Sequence, residues 1–211
     1  MMEILVVAAT EMEIAPFILQ NSSTDILITG VGAPACMYVL TKRLQQKKYE
    51  LIIQVGIAGT FKKCFTLAET FLVKKDAFAD LGIYERDTFF TLFEKGFLQL
   101  NKLPYKNGWL ENNMEDNFEL TSINAITVNT VTDKFEQTDI FIKKFDPDIE
   151  TMEGAAFHYV CINEEVPFLQ LRSISNFVGE RNKANWKLKE SIQNLNLHLS
   201  RIVNQIQSCN S

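Results

Sequence analysis

A chain of 211 residues is long enough for one sizeable core and short for two independent domains, so a single domain spanning 1–211 is expected. With 46% hydrophobic and 22% charged residues it has the composition of an ordinary globular protein. A formal net charge of −5, with lysines scattered in short runs such as Lys62-Lys63 and Lys74-Lys75, argues against the clustered basic face of a nucleic-acid binder.

The first segment, Ile4-Leu5-Val6-Val7-Ala8-Ala9, is continuously apolar. It lacks the basic lead and small-residue cleavage site of a signal peptide, and reads as a buried strand over 3–9. Glu11 and Glu13 then open a helix ending near Phe17–Leu19, where acids are favoured by the helix dipole. Further strands are expected at 25–30, 51–56, 69–74, 124–131 and 168–175, with helices at 33–46, 133–144, 154–164 and 186–207. Such alternation predicts an α/β fold: a mixed, mainly parallel twisted sheet with helices on both faces.

Gly30-Val31-Gly32 and Gly56-Ile57-Ala58-Gly59 each follow a strand, where glycines allow a tight turn and the close approach of a ligand. Neither completes the dinucleotide fingerprint Gly-x-Gly-x-x-Gly. In 76–120, Phe78, Phe89, Phe90, Phe93 and Phe97 lie among turn residues. They are read as core or interface packing, or else as the lining of an apolar substrate pocket. No apolar run approaches the roughly 20 residues of a membrane helix. Cys36, Cys64, Cys161 and Cys209 have no paired spacing, so they are expected to be reduced thiols. With only His158 and His198 beside them, no metal site is expected, and the cytoplasm is the default location.

Three polar stretches sit at strand ends: 9–13 (Ala-Thr-Glu-Met-Glu), 151–155 (Thr-Met-Glu-Gly-Ala) and 172–176 (Arg-Ser-Ile-Ser-Asn). Strand ends are where open α/β sheets place their chemistry. Capping is the simpler reading of Glu13 or Glu153 alone. A carboxylate beside small residues, as Glu153 is beside Gly154-Ala155-Ala156, also suits the paired hydroxyls of a ribose. Arg172, inside an apolar strand, needs a partner, for which one of the glutamates is a candidate.

The order and spacing of these stretches resemble the superfamily of purine nucleoside phosphorylases and methylthioadenosine/S-adenosylhomocysteine nucleosidases. Met152-Glu153, followed by a helix and Arg172-Ser173-Ile174-Ser175-Asn176, carries the likeness most strongly. The resemblance implies that Glu13 activates the attacking water, with Arg172 orienting it. It further implies that Met152 and Glu153 hold the ribose, that Val131 and Thr132 pack against the base, and that Gly59 contributes to the substrate site. It also implies a homodimer or larger homo-oligomer, a small-molecule nucleoside as substrate, and no cofactor.

Two departures sort among the members. Where phosphorylases bind phosphate through arginines and a serine, this chain has glutamates, Gln54 and Ile57, so water is the expected nucleophile. Where adenine-specific nucleosidases end the motif with aspartate, this chain has Asn176, which lacks that proton and suits a 6-oxopurine. Together with 79–82 (Ala-Asp-Leu-Gly), 127–132 (Thr-Val-Asn-Thr-Val-Thr) and 175–181 followed by Trp186, these features most resemble the futalosine hydrolase branch. That implies release of hypoxanthine in menaquinone biosynthesis, with Arg181 or Lys183 meeting the substrate's tail carboxylate. A methylthioadenosine/S-adenosylhomocysteine nucleosidase and a non-catalytic nucleoside-binding module are the alternatives.

Overall fold

The structure, a computed structural model, describes residues 2–21, 23–114 and 118–209. In chain order it runs β1 (Ile4–Ala8), α1 (Glu11–Gln20), β2 (Asp25–Ile28), α2 (Ala33–Leu44), β3 (Leu51–Thr60) and β4 (Thr70–Asp76). The hairpin β5 (Gly82–Glu85) and β6 (Thr88–Thr91) and the short β7 (Leu110–Glu111) follow. The rest comprises β8 (Ser122–Thr127), α3 (Phe135–Phe145), β9 (Ile149–Thr151), α4 (Gly154–Asn163), β10 (Phe168–Phe177) and α5 (Leu188–Cys209).

This is a mixed α/β fold built on β3. Its first half pairs in parallel with β1, which carries β2 on its other side, while β10 runs parallel to nearly all of its length. The far end of β3 takes β9 in antiparallel register, with Gly59 opposite Glu150. The pairings β10–β4, β4–β8 and β8–β9 then return to β3, so that five strands close a ring. The cluster Ala58, Phe71, Val73, Ile123, Ala125, Ile149 and Ile174 draws on all five.

Alternation along β1 shows how the helices are seated. Ile4, Val6 and Ala8 join a core with Ile14 and Phe17 of α1 and Leu195, Leu199, Ile202 and Val203 of α5. Leu5 and Val7 join the other core, with Cys36 and Leu40 of α2 and Phe157, Val160 and Cys161 of α4. The α5 residues recur at the helical spacing that forms a single apolar stripe.

Three local expectations are corrected. The Gly56–Gly59 stretch is not a turn: β3 runs straight through it to Thr60. Glycine is needed at 56 for close approach, since a Cβ there would collide with the Arg172 guanidinium. The strand expected over 124–131 ends at Thr127, because Asp80 takes over the next residues, accepting from both the backbone and side-chain nitrogens of Asn129 (2.6 and 3.0 Å). Strand β9, too short for any periodic pattern, was not foreseen.

Cys36 and Cys161 are buried free thiols and Cys64 is an exposed one; the side chain of Cys209 lies outside the described residues. Among the described residues no helix is long and apolar enough to cross a membrane, and no histidine, cysteine and carboxylate group is placed to hold a metal.

Candidate active site

The three polar stretches meet at one cavity of about 260 Å³ at the ends of β1, β3, β9 and β10. Of the residues expected there, Glu13, Gly59, Val131, Met152, Glu153 and Asn176 all line it. Arg172 and Thr132 do not.

Glu13 enters from the first turn of α1, and capping proves to be half of its role. Its Oε2 accepts from the amide (3.0 Å) and hydroxyl (2.9 Å) of Thr10. Its Oε1 accepts from the amide of Ile57 on β3 (3.2 Å), which turns the carboxylate toward the cavity. The helix behind it runs on through Pro16, which has no amide to donate, and a side chain of α5 fixes Glu13 further. The amide of Phe17 donates to Asn196 Oδ1 of α5 (3.0 Å), and Asn196 Nδ2 donates to the Glu13 carbonyl (2.8 Å). Asn196 thus bridges the Phe17 amide and the Glu13 carbonyl, one helical turn apart beside Pro16.

Glu153 sits at the N-cap of α4 without capping it. The amide of Gly154 instead donates to Thr151 Oγ1 (3.2 Å) and that of Ala155 to Thr127 Oγ1 (2.7 Å). The Thr127 hydroxyl in turn donates to Asp76 Oδ1 (3.0 Å), so the helix start is satisfied by two threonines and a buried aspartate. Freed from that duty, Glu153 accepts from the amide of Gly32 (2.8 Å) across the cavity wall. Burial raises its carboxyl above the ordinary value, opposed by the charge of Arg172 and the Gly32 amide and reinforced by Glu13.

Arg172 corrects the expectation that it would orient water. It is buried, donates from Nη2 to Gln54 Oε1 (2.7 Å), and leaves Nε without a partner. Its guanidinium occupies the space left by Gly56, behind the cavity wall. There its charge lowers the carboxyl values of Glu153 and Asp76 without touching the cavity. Thr132 is also corrected: its hydroxyl accepts from the Lys134 amide (3.0 Å) ahead of α3, and only Val131 of that pair reaches the cavity.

Asn176 owes its position to an irregularity in β10. The register with β3 shifts between Ile174 and Asn176, leaving Ser175 as the extra residue, and a bulge of this kind re-aims the side chains that follow it. The Ser175 hydroxyl donates to Asn176 Oδ1 (2.7 Å), and Asn176 Nδ2 donates to the carbonyl of Phe177 (2.9 Å).

Of the lining residues, Glu150 alone falls outside every stretch singled out from the sequence. It is 6% exposed, its Oε2 has no hydrogen-bond partner, and burial pushes its carboxyl up to about 7, with Asp80 raising it and Arg181 lowering it. The only signal in the sequence was a carboxylate two residues before Met152. Trp186 also lines the cavity; its Nε1 donates to the Glu180 carbonyl (3.1 Å), and Glu180 accepts from Asn182 and Asn185.

None of the phenylalanines singled out in 76–120 (Phe78, Phe89, Phe90, Phe93 and Phe97) lines this cavity, nor do Arg181 and Lys183. Phe78 packs against Tyr159 of α4 (6.5 Å between centroids), Phe93 against Tyr105 (5.0 Å) and Phe89 against Tyr84 (5.3 Å). Packing, not substrate contact, accounts for these three.

Chemically, the cavity presents three carboxylates, Glu13, Glu150 and Glu153, with no lysine or arginine in its lining. Such a wall repels an anionic nucleophile such as phosphate and accommodates water and sugar hydroxyls.

No family model matches the chain. Among curated proteins it is 28% identical over 185 residues to a futalosine hydrolase of Thermus thermophilus, spanning 84% of this chain and 80% of that one. It is 26% identical over 174 residues to a futalosine hydrolase of Streptomyces coelicolor, spanning 80% and 73%. Among solved structures, a futalosine hydrolase mutant of Helicobacter pylori superposes with a TM-score of 0.81 at 16% identity, covering 97% of this chain and 100% of that one. A methylthioadenosine/S-adenosylhomocysteine nucleosidase of the same organism superposes with a TM-score of 0.80 at 15% identity, covering 97% and 99%. The structures share the fold. The curated relatives bear out the resemblance to futalosine hydrolases read from the sequence.

Proposed function

We propose that this protein hydrolyses the N-glycosidic bond of futalosine, releasing hypoxanthine and dehypoxanthine futalosine. The observation that carries the reading is the wall of three carboxylates without a cation, in a chain whose curated relatives are futalosine hydrolases. Glu13 holds a water through its cavity-facing carboxylate and takes its proton as the water oxygen bonds to C1′. The bond from C1′ to the base breaks, its electron pair leaves with the purine, and a proton restores the neutral base. The sugar passes through an oxocarbenium-like state, as in glycoside hydrolysis, and the negative wall favours that developing positive charge.

Glu153 accepts from the ribose hydroxyls, with Met152 beside it beneath the sugar. Asn176 and Val131 meet the base. Arg172 acts from behind, its charge opposing the upward push of burial on the Glu153 carboxyl. Met12, Val31, Ile57 and Trp186 supply apolar lining for the substituent at the 5′ end. The reading includes a cytoplasmic enzyme of menaquinone biosynthesis, acting as a homodimer or larger homo-oligomer. Exposed apolar side chains at Met12, Val31 and Tyr38 support the assembly.

The test is to offer purified protein futalosine, inosine and methylthioadenosine and to identify the released base by chromatography. Hypoxanthine from futalosine at the highest kcat/KM is expected. Adenine from methylthioadenosine at higher efficiency would replace this reading with that of a methylthioadenosine nucleosidase. Binding without release of any base would make the protein a nucleoside-binding module.

A further inference from the structure

Among the described residues four carboxylates are buried: Glu13, Asp76, Glu150 and Glu153. Three are accounted for by hydrogen bonds: Glu13 from Thr10 and Ile57, Asp76 from Ala77 and Thr127, and Glu153 from Gly32. Glu150 accepts none, and its Oε2 is buried without a partner. A buried carboxylate with no partner is unfavourable in a resting protein, so the residue is explained best by a donor that arrives with the ligand.

The sheet register says where that donor lies. Glu150 of β9 stands directly opposite Gly59 of β3, and Gly59 is in register with Asn176 of β10. Partners in one row point to the same face of a sheet, and all three residues line the cavity. The outer two are therefore separated by two strand spacings, about 10 Å between backbones, with no side chain between them. A Cβ on Gly59 would lie 3.3 Å from Asn176 Nδ2 and 3.2 Å from Val178 Cγ2, so the gap stays open only for glycine. The result is a flat slot with an amide at one end and a carboxylate at the other.

We propose that Glu150 and Asn176 grip the two ends of the purine across Gly59, with Glu150 accepting the N1–H of a 6-oxopurine and thereby discriminating against a 6-aminopurine. The assignment rests on the nucleoside-hydrolase reading of the cavity and names what selects the base within it. Asn176 donates to O6 or N7, which purines of both kinds partly share. Position 1 separates them: a 6-oxopurine presents a donor there and a 6-aminopurine a lone pair. An ionised carboxylate is an acceptor only, so it answers the first and opposes the second. A site that leaves a buried polar group unpaired against the wrong ligand discriminates more strongly than an apolar one. Burial and the charge of Asp80 hold the Glu150 carboxyl near 7 in the free cavity, opposed by Arg181, and an arriving N–H favours its ionised form.

The experiment is calorimetric binding of free bases, with futalosine turnover followed in parallel. Wild-type protein is titrated with hypoxanthine, 1-methylhypoxanthine and adenine, and Glu150→Gln with hypoxanthine and adenine. We expect methylation at N1 to weaken hypoxanthine binding about tenfold or more. Glu150→Gln is expected to weaken hypoxanthine by a similar factor while leaving adenine unchanged or tighter, since the amide can donate to N1. The methylated base needs no variant, so a folding defect in Glu150→Gln would not decide the matter. If the wild type binds hypoxanthine but neither change alters the hypoxanthine-to-adenine ratio, the role of Glu150 is overturned while the hydrolase reading stands. If the wild type binds no base and releases none from futalosine, both fall.

Discussion

The two ends of the cavity are built differently. At the sugar end, Glu13 and Glu153 are fixed by backbone amides from other elements, Ile57 of β3 and Gly32 before α2. Asn196 of α5 braces the backbone of Glu13 from behind. At the base end, among the described residues, the Asn176 side chain bonds to its chain neighbours Ser175 and Phe177, and Glu150 Oε2 has no partner. Preorganised groups are what a charged transition state needs, because they cost no reorganisation when charge develops. Groups whose hydrogen bonds are unspent are what base selection needs, because their pairing is decided by the ligand. The cavity thus separates reaction from recognition along its length.

Glu13→Gln should give the largest effect if the sugar end performs the chemistry. The amide keeps an acceptor for Thr10 but loses the base, so kcat should fall roughly 10²–10⁴-fold with an unchanged circular-dichroism spectrum. Near wild-type turnover would remove Glu13 from the reaction. Asn176→Ala touches the other end, and should reduce kcat/KM for futalosine about 10- to 100-fold with affinity for hypoxanthine falling in step. A loss confined to kcat would place Asn176 with the reacting groups and erase the distinction.

Asn196→Ala probes the brace alone. It orphans the Phe17 amide and the Glu13 carbonyl, which should cost about 1–3 kcal/mol of stability, read as a lower urea midpoint. A several-fold drop in kcat with little change in KM should accompany it. Loss of stability with full kcat would show that Glu13 needs no support from α5.

The smallest effect is a pH dependence beneath the site. Burial pushes the Asp76 carboxyl up to about 7 against its hydrogen bond from Thr127 and the charge of Arg172, and holds the His158 ring down to about 4. A raised carboxyl means that the folded chain keeps a proton the unfolded chain has lost, so stability is greatest at low pH and falls as pH rises through about 7. His158 acts oppositely, adding stability as pH rises from about 4 to its ordinary 6.5. Between pH 6.5 and about 7.5 the raised carboxyls of Asp76 and Glu150 dominate, so Tm should decline there, and Asp76→Asn should lessen the decline. An unchanged slope in that variant would mean that Asp76 is ionised throughout.

Much of this arrangement was legible in the sequence where one rule governed a whole segment. Strand β1 is continuously apolar because both its faces are covered, and a glutamate, a Met-Glu pair and an asparagine at strand ends located the cavity. What failed were residues answering to two constraints at once. Gly56 and Gly59 were read as a strand-end turn open to a ligand, yet both lie within β3 and admit side chains, Arg172 at one and Asn176 at the other. Arg172 was recognised as out of place in its strand, but its partner, Gln54, lies 118 positions away and no local pattern points to it. Glu150 follows Asp146 and Asp148 and looks like one more solvated acid. The pairing of Ile149 and Glu150 with β3 turns it inward.

The central claim, that water held at Glu13 attacks the sugar, is tested most directly by following futalosine cleavage in phosphate-free buffer containing isotopically heavy water. The product is then weighed by mass spectrometry. Hydrolysis predicts full turnover without phosphate and one heavy oxygen in the released sugar product. Turnover that requires phosphate and yields a sugar 1-phosphate would contradict it.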